Sequence, residues 1–243
     1  MMSATRSTEF RSPDQRRVET PPLRRRVARA FAPLAAMLAL LVLAGCKDKD
    51  KVVVPDPEPS PYLAPTSPHN LLDNLRTAIE LRDIDAYAAL FDESEFTFHF
   101  DPVDLSDQPD LPELWGYVGE VLWATNAFGS ADVLDISLAF MKGAVSDAES
   151  SDGEGVQLTW KKATITAIEL EIETKNPQNP TDPIFYKVSG DRGQFFFAVD
   201  PDVVVDGEPT WKIVRWKDIR VGARPGAALT INHSFGQIKS VFR

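Results

Sequence analysis

Glu95, Thr97, His99 and Asp101 recur at every second position, and in an extended strand that spacing puts all four on one face. Two carboxylates flanking an imidazole supply the donors for a divalent metal ion or for proton transfer. The intervening residues are Phe96, Phe98 and Phe100, so alternation alone already predicts a buried aromatic face opposite a solvated polar one. The polar row is therefore expected to be a solvated face, with His99 as the residue that separates the two readings and Glu95 and Asp101 as its candidate partners.

A second acidic run, Asp147, Glu149, Asp152 and Glu154, has the oxygen donors calcium prefers but not the required pattern. Asp152 stands where a calcium-binding helix–loop–helix needs glycine, and Leu158 where it needs a bidentate glutamate, so a solvated hairpin loop is expected. Trp115, Trp123, Trp160, Trp211 and Trp216 have the rings of an aromatic ligand cage, yet they fall at helix and strand positions that read as core. His69 and His233 lie near the margins of the folded region without a companion motif. There is no Gly-rich phosphate loop, no His-Glu-x-x-His and no nucleophile elbow, so neither a catalytic set nor a cofactor or metal is assigned.

The elements that position these residues follow from periodicity. Ser67-Pro68 reads as a helix start, with serine capping and proline at the first helical position. Leu71, Leu72, Leu75, Ala78 and Ile79 define its buried stripe, and Arg82-Asp83 breaks it before a short helix with Ile84, Tyr87, Ala88 and Phe91 on its apolar face. After the Phe96–Phe100 strand and a turn containing Pro102 and Pro109, Asp110-Leu-Pro-Glu113 predicts a capping box. It would open a third helix with the stripe Leu111, Leu114, Trp115, Val118, Val121 and Leu122. From residue 132 strands dominate: Leu134, Ile136, Leu138 and Phe140 alternate, followed by strands at 156–161, 164–173, 184–188, 194–199 and 210–219. Gly190-Asp-Arg-Gly193 and Asp206-Gly207 read as turns between them. Helices first and consecutive strands later predict an α+β domain with an antiparallel sheet over 67–219, followed by a C-terminal extension, 220–243, whose Phe235, Ile238, Val241 and Phe242 pack on the domain edge.

Charge divides the chain earlier. Residues 1–45 carry eight basic and three acidic residues, while the remainder carries 18 and 33, or −15. Such an acidic domain repels phosphate backbones, which excludes nucleic acid as an expected partner. An arginine-rich start (Arg24, Arg25, Arg26, Arg29) precedes the apolar residues 30–44, and only 17 uncharged residues separate Arg29 from Lys47, short of the roughly 20 a spanning helix requires. That layout reads as a secretory signal, with a short uncleaved anchor as the alternative.

The signal closes on Leu43-Ala44-Gly45-Cys46, which contains the chain's single cysteine and resembles the lipobox of bacterial lipoproteins. The resemblance implies removal of 1–45, acylation of Cys46 and a lipid-anchored place in the cell envelope. Lys47 lacks the aspartate of inner-membrane retention, so the outer membrane facing the periplasm is expected. Residues 46–66 form a proline-rich tether whose 21 residues from Lys47 to Ser67 span up to roughly 65 Å in polyproline II geometry.

The element order, with the opening helix pair Pro68…Leu75…Ala78…Arg82-Asp83-Ile84…Tyr87…Leu90-Phe91 and the tryptophan-flanked last strand Trp211-Lys-Ile-Val-Arg-Trp216-Lys-Asp218, resembles the NTF2-like (SnoaL-like, cystatin-like) superfamily. The resemblance implies a cone, with N-terminal helices packed in a curved antiparallel sheet. It also implies one of two functions: a binding or interaction module for an envelope protein or small apolar ligand, or an isomerase- or dehydratase-type enzyme acting on a small apolar substrate. Homodimerisation through the outer sheet face is a third expectation of such cones. No residue of this chain aligns with a family catalytic position.

Overall fold

The computed structural model describes residues 59–221 and 230–243, so Cys46, the signal and most of the tether lie outside the described residues. The compact unit runs Glu58–Arg243. Its first helix, α1 (Pro68–Leu81), is capped as its sequence dictates: the Ser67 hydroxyl accepts from the Asn70 amide at 3.2 Å, and Pro68 opens the first turn. Leu71, Leu72, Leu75, Ala78 and Ile79 are all buried and pack against strands β3 (Val133–Lys142) and β7 (Glu208–Ile219). Arg82 ends the helix in the left-handed region, φ 56°, and Asp83 caps α2 (Ile84–Ala88) by accepting from the Ala86 amide.

Among the described residues eight strands form one sheet, with the path β2 (Leu114–Gly116), β1 (Thr97–His99), β7, β6 (Ile184–Val205), β5 (Lys161–Thr174), β3. The short β4 (Ser146–Asp147) pairs with β5, and β8 (Thr230–Asn232) with β6. Pairing is antiparallel except for β1 with β7 and β8 with β6. The expected α+β class is present: helices lie on a curved sheet, and their shared interior is lined with rings, among them Tyr87, Phe91, Phe98, Trp123, Phe195, Phe197 and Trp216.

Tertiary contacts override local pattern at several places. No helix starts at Asp110. Asp101 instead caps α3 (Pro102–Asp107), accepting from the Val103 amide at 2.8 Å where a turn was expected. Residues 114–116 are taken by the sheet, because Trp115 pairs with Phe98. The next helix, α4 (Tyr117–Gly129), therefore begins later and buries Glu120, Trp123, Ala124, Ala127 and Phe128, leaving Val118 and Leu122 exposed. A bulge between Val133 and Asp135 shifts the phase of β3, so Val133 rather than Leu134 is buried. Residues 156–160 are irregular, with a turn at 158–159, and the strand expected there starts only at Lys161.

The expected turn at Gly190-Asp-Arg-Gly193 is instead the middle of the 22-residue β6. Gly190 adopts φ 78°, and opposite it β5 carries a register shift beside Ala167 at φ 52°. Paired irregularities of this kind bend strands without reversing them, which curves the sheet. Asp206-Gly207 does reverse the chain, with φ 53° and 85°. The C-terminal segment does not sit on an edge. Its helix α5 (Phe235–Val241) puts Phe235 and Ile238 into the main core.

One side chain ties the end of α4 to the start of β3. The Arg82 guanidinium donates to the carbonyls of Phe128, Ser130 and Val133, with bonds of 2.9 Å to the latter two. Arg82→Ala leaves those carbonyls without a donor and is expected to lower unfolding free energy by about 2 kcal/mol, read by urea denaturation.

Candidate functional site

The buried polar centre is Glu120, in the first turn of α4 on a face otherwise made of Trp123, Ala124, Ala127 and Phe128. Its Oε1 accepts from the Tyr87 hydroxyl and from the Lys239 ammonium, and its Oε2 accepts from Trp115 Nε1 at 2.8 Å. Lys239, from α5, is fully buried. Its ammonium lies 3.7 Å from the Phe98 ring centroid and 3.9 Å from that of Trp216, with Trp123, Phe235 and Trp115 between 5.2 and 5.8 Å. A cation over aromatic faces is attracted by their quadrupoles, more so when dehydrated.

Burial reshapes the acid–base character of these groups. It pulls Lys239 down to about 8, with Glu120 and Asp218 partly offsetting the effect, and it pushes the Tyr87 phenol well above its ordinary range, helped by the Glu120 charge. Asp218, on β7, is pushed up to about 8 by burial and by the neighbouring Asp191 and Asp104. It accepts from the Gly236 amide at 2.8 Å, while its Oδ1 has no hydrogen-bond partner. Asp104 accepts from the Ser234 hydroxyl. Three buried carboxyl groups, Glu120, Asp218 and Asp104, thus hold successive points of one C-terminal segment.

In chemical terms burial weakens the hold of the lysine on its proton and strengthens that of the aspartic acid, beside the Glu120 carboxylate. The space around them is filled by α5. Among the described residues, hollows of about 270 to 420 Å³ open on the surface beside Leu138, Trp211, Leu134 and Trp160, and these are not lined by Tyr87, Glu120, Asp218 or Lys239. One of them lies between the side chains of Tyr62, Leu63, Leu90 and Trp211.

The β1 row is dispersed. Asp101 caps α3 and accepts from the Arg220 amide at 3.0 Å, while the exposed Glu95 carboxylate accepts from the Gln157 side chain at 3.5 Å. His99 Nε2 lies 3.1 Å from Thr97 Oγ1. Its cross-strand partner is Lys217, and burial followed by repulsion from Arg215 and Lys217 draws its pKa down to about 4. Cations beside a histidine oppose metal binding, and among the described residues no group of three or more His, Cys, Asp or Glu side chains is placed to hold a metal.

The acidic run is bound rather than fully solvated. Asp152 accepts from Lys162 at 2.8 and 2.9 Å, and the carbonyls of Asp152 and Glu154 accept from Lys217 and Arg215. Of the five tryptophans, Trp115, Trp123 and Trp216 surround Lys239, Trp160 joins Phe196 in a small outer cluster under Arg215, and Trp211 borders a surface hollow. His69 lies 3.0 Å from the Gly143 carbonyl, and His233 stacks on Tyr186. Sequence reading missed Glu120 and Lys239. The available signal was a glutamate three and four positions before Trp123 and Ala124, visible once the helix is phased from Tyr117.

Two outcomes follow from these geometries. Lys239→Ala leaves a buried, uncompensated Glu120 and is expected to cost about 3–5 kcal/mol in denaturant unfolding, whereas the Lys239→Met, Glu120→Gln double variant recovers most of that loss. Asp218 keeps its proton up to about pH 8 when folded but loses it near 3.8 when unfolded, so folding stability falls as pH rises through that window. Asp218→Asn removes this term, and its stability advantage over wild type is expected to grow steadily between about pH 5 and pH 8 in parallel melts.

No protein-family model and no curated protein matches the chain. Among solved structures it is similar to a ketosteroid isomerase-like protein from Erwinia carotovora atroseptica, at 12% identity over 63% of this chain and 94% of that one, with a TM-score of 0.39. It is also similar to an NTF-2-like protein of unknown function from Shewanella oneidensis, at 10% identity over 62% and 93%, TM-score 0.37. A third, ActVI-ORFA from Streptomyces coelicolor, shares 17% identity over 62% and 91%, TM-score 0.36. At that identity and overlap nothing about activity passes from them to this chain.

Proposed function

We propose that this chain is an exported lipoprotein, acylated on Cys46 and held at the outer membrane facing the periplasm, whose NTF2-like α+β domain is a binding or interaction module of the cell envelope. The observation that carries the binding reading is the filled interior: α5 occupies it with Phe235, Ile238 and Lys239, so Lys239, Glu120 and Asp218 are held away from solvent. The address rests on Leu43-Ala44-Gly45-Cys46, the change from +5 to −15 at that boundary, and the proline-rich tether that follows. One acyl chain holds a protein only marginally, so the multiple chains of a lipoprotein are what make such an anchor stable.

A second reading, an isomerase- or dehydratase-type enzyme acting on a small apolar substrate, draws on the Tyr87–Glu120–Lys239 network and on Asp218. It requires the interior to open to substrate. Amide hydrogen exchange separates the two: a filled module is expected to protect α5 amides about as strongly as those of β6 and β7, while fast local exchange confined to α5 supports the enzyme. For the anchor, a radiolabelled fatty acid is expected to label the wild-type chain and not Cys46→Ala; equal labelling of both refutes acylation at that residue.

A further inference from the structure

The interior that holds Lys239 is more than an ion pair needs. Four of the five rings around the ammonium, Phe98, Trp115, Trp123 and Trp216, come from β1, β2, α4 and β7, and only Phe235 arrives with α5. Glu120 is oriented independently of the lysine, since Tyr87 donates to one carboxylate oxygen and Trp115 to the other. A carboxylate fixed by two donors within a wall of aromatic faces is a preorganised cation receptor, because little ordering remains to be done when the cation arrives.

We infer that the domain interior is a binding site for an alkylammonium group, closed in this chain by α5 with the Lys239 side chain as its internal occupant. This rests on the reading of the domain as a binding module and names its ligand class: a slim alkyl chain ending in an ammonium, the shape of the lysine side chain already seated there. The ligand enters by replacing α5, whose polar attachments include Ser234 to Asp104, the Gly236 amide to Asp218, Lys239 to Glu120, and Ser240 to Gln108. An internal occupant competes at an effective concentration of about millimolar or more, so a free amine binds wild type far more weakly than a chain whose lysine head has been removed.

The probe is n-butylammonium chloride, with sodium chloride at equal ionic strength and 1-butanol as controls, on the full chain and on Lys239→Ala. The alanine variant is expected to gain thermal stability and change tryptophan fluorescence with butylammonium alone, with an apparent affinity about a hundredfold above wild type. Adding Glu120→Gln is expected to abolish that response. In wild type, butylammonium at about a hundred times the concentration that saturates the variant is expected to accelerate exchange of α5 amides while β6 and β7 stay protected. Should Lys239→Ala not fold unaided, refolding yield is read in the same three solutions, with recovery expected only with the ammonium. Equal responses to butylammonium and butanol, or α5 protection in wild type that the amine does not move, overturn the inference. Such a failure leaves the fatty-acid labelling of Cys46 and the filled interior untouched, so it is distinguishable from failure of the binding-module reading itself.

Discussion

A charged lysine at zero exposure, surrounded by rings and met by one carboxylate, is the constraint around which this domain is arranged. Removing an ammonium and a carboxylate from water is costly, and their attraction offsets that only when every remaining donor and acceptor is used. Glu120 meets the requirement with Tyr87, Trp115 and Lys239, which come from α2, β2 and α5. The position of each of those elements is therefore tied to the others. Trp115 must sit in a strand against Phe98 to reach Glu120, which is why residues 114–116 join the sheet instead of opening a helix.

The curvature of the sheet serves the same interior. Gly190 on β6 and the irregularity around Ala167 on β5 bend two neighbouring strands at one level. The core they curve around takes in the stacked rings of Phe195 and Phe197, the indole of Trp216, and Phe235 from α5. Gly236 lets the α5 backbone approach closely, since a Cβ there would lie 2.8 Å from the Phe100 ring and within 3.2 Å of the carboxylates of Asp104 and Asp218. The outer face obeys a different rule. Arg215 projects there from β7 over Trp160 and Phe196, and Lys217 over Phe196; the acidic run 147–154 supplies them with the carbonyl oxygens of Glu154 and Asp152, while the Asp152 carboxylate pairs with Lys162.

Where stability is local, the sequence was legible. The Leu71–Ile79 stripe, its Ser67 cap, the alternation of Phe96, Phe98 and Phe100, and the Asp206-Gly207 reversal each depend on residues a few positions apart. Legibility ended where a distant partner decides. Leu111, Leu114, Val118 and Leu122 have helical spacing, yet the sheet claims Leu114 and Trp115, and the helix then turns Val118 and Leu122 to solvent. A glycine pair in β6 reads as a turn until a bulge in the neighbouring strand is known. The Lys239–Glu120 pair spans 119 positions, so nothing near either residue announces it. At the other end, Leu43-Ala44-Gly45-Cys46 lies outside the described residues, and its resemblance to a lipobox rests on local sequence alone.

The central claim, an ammonium buried among rings and paired with Glu120, is tested most directly by a carbon-13 NMR pH titration of the lysine side chains in the full protein. It should show one lysine whose ε-methylene protons are shifted strongly upfield by ring currents and whose ammonium titrates at about 8, and that signal should vanish in Lys239→Met. A spectrum in which every lysine keeps ordinary proton shifts and titrates near 10.5 would contradict the account.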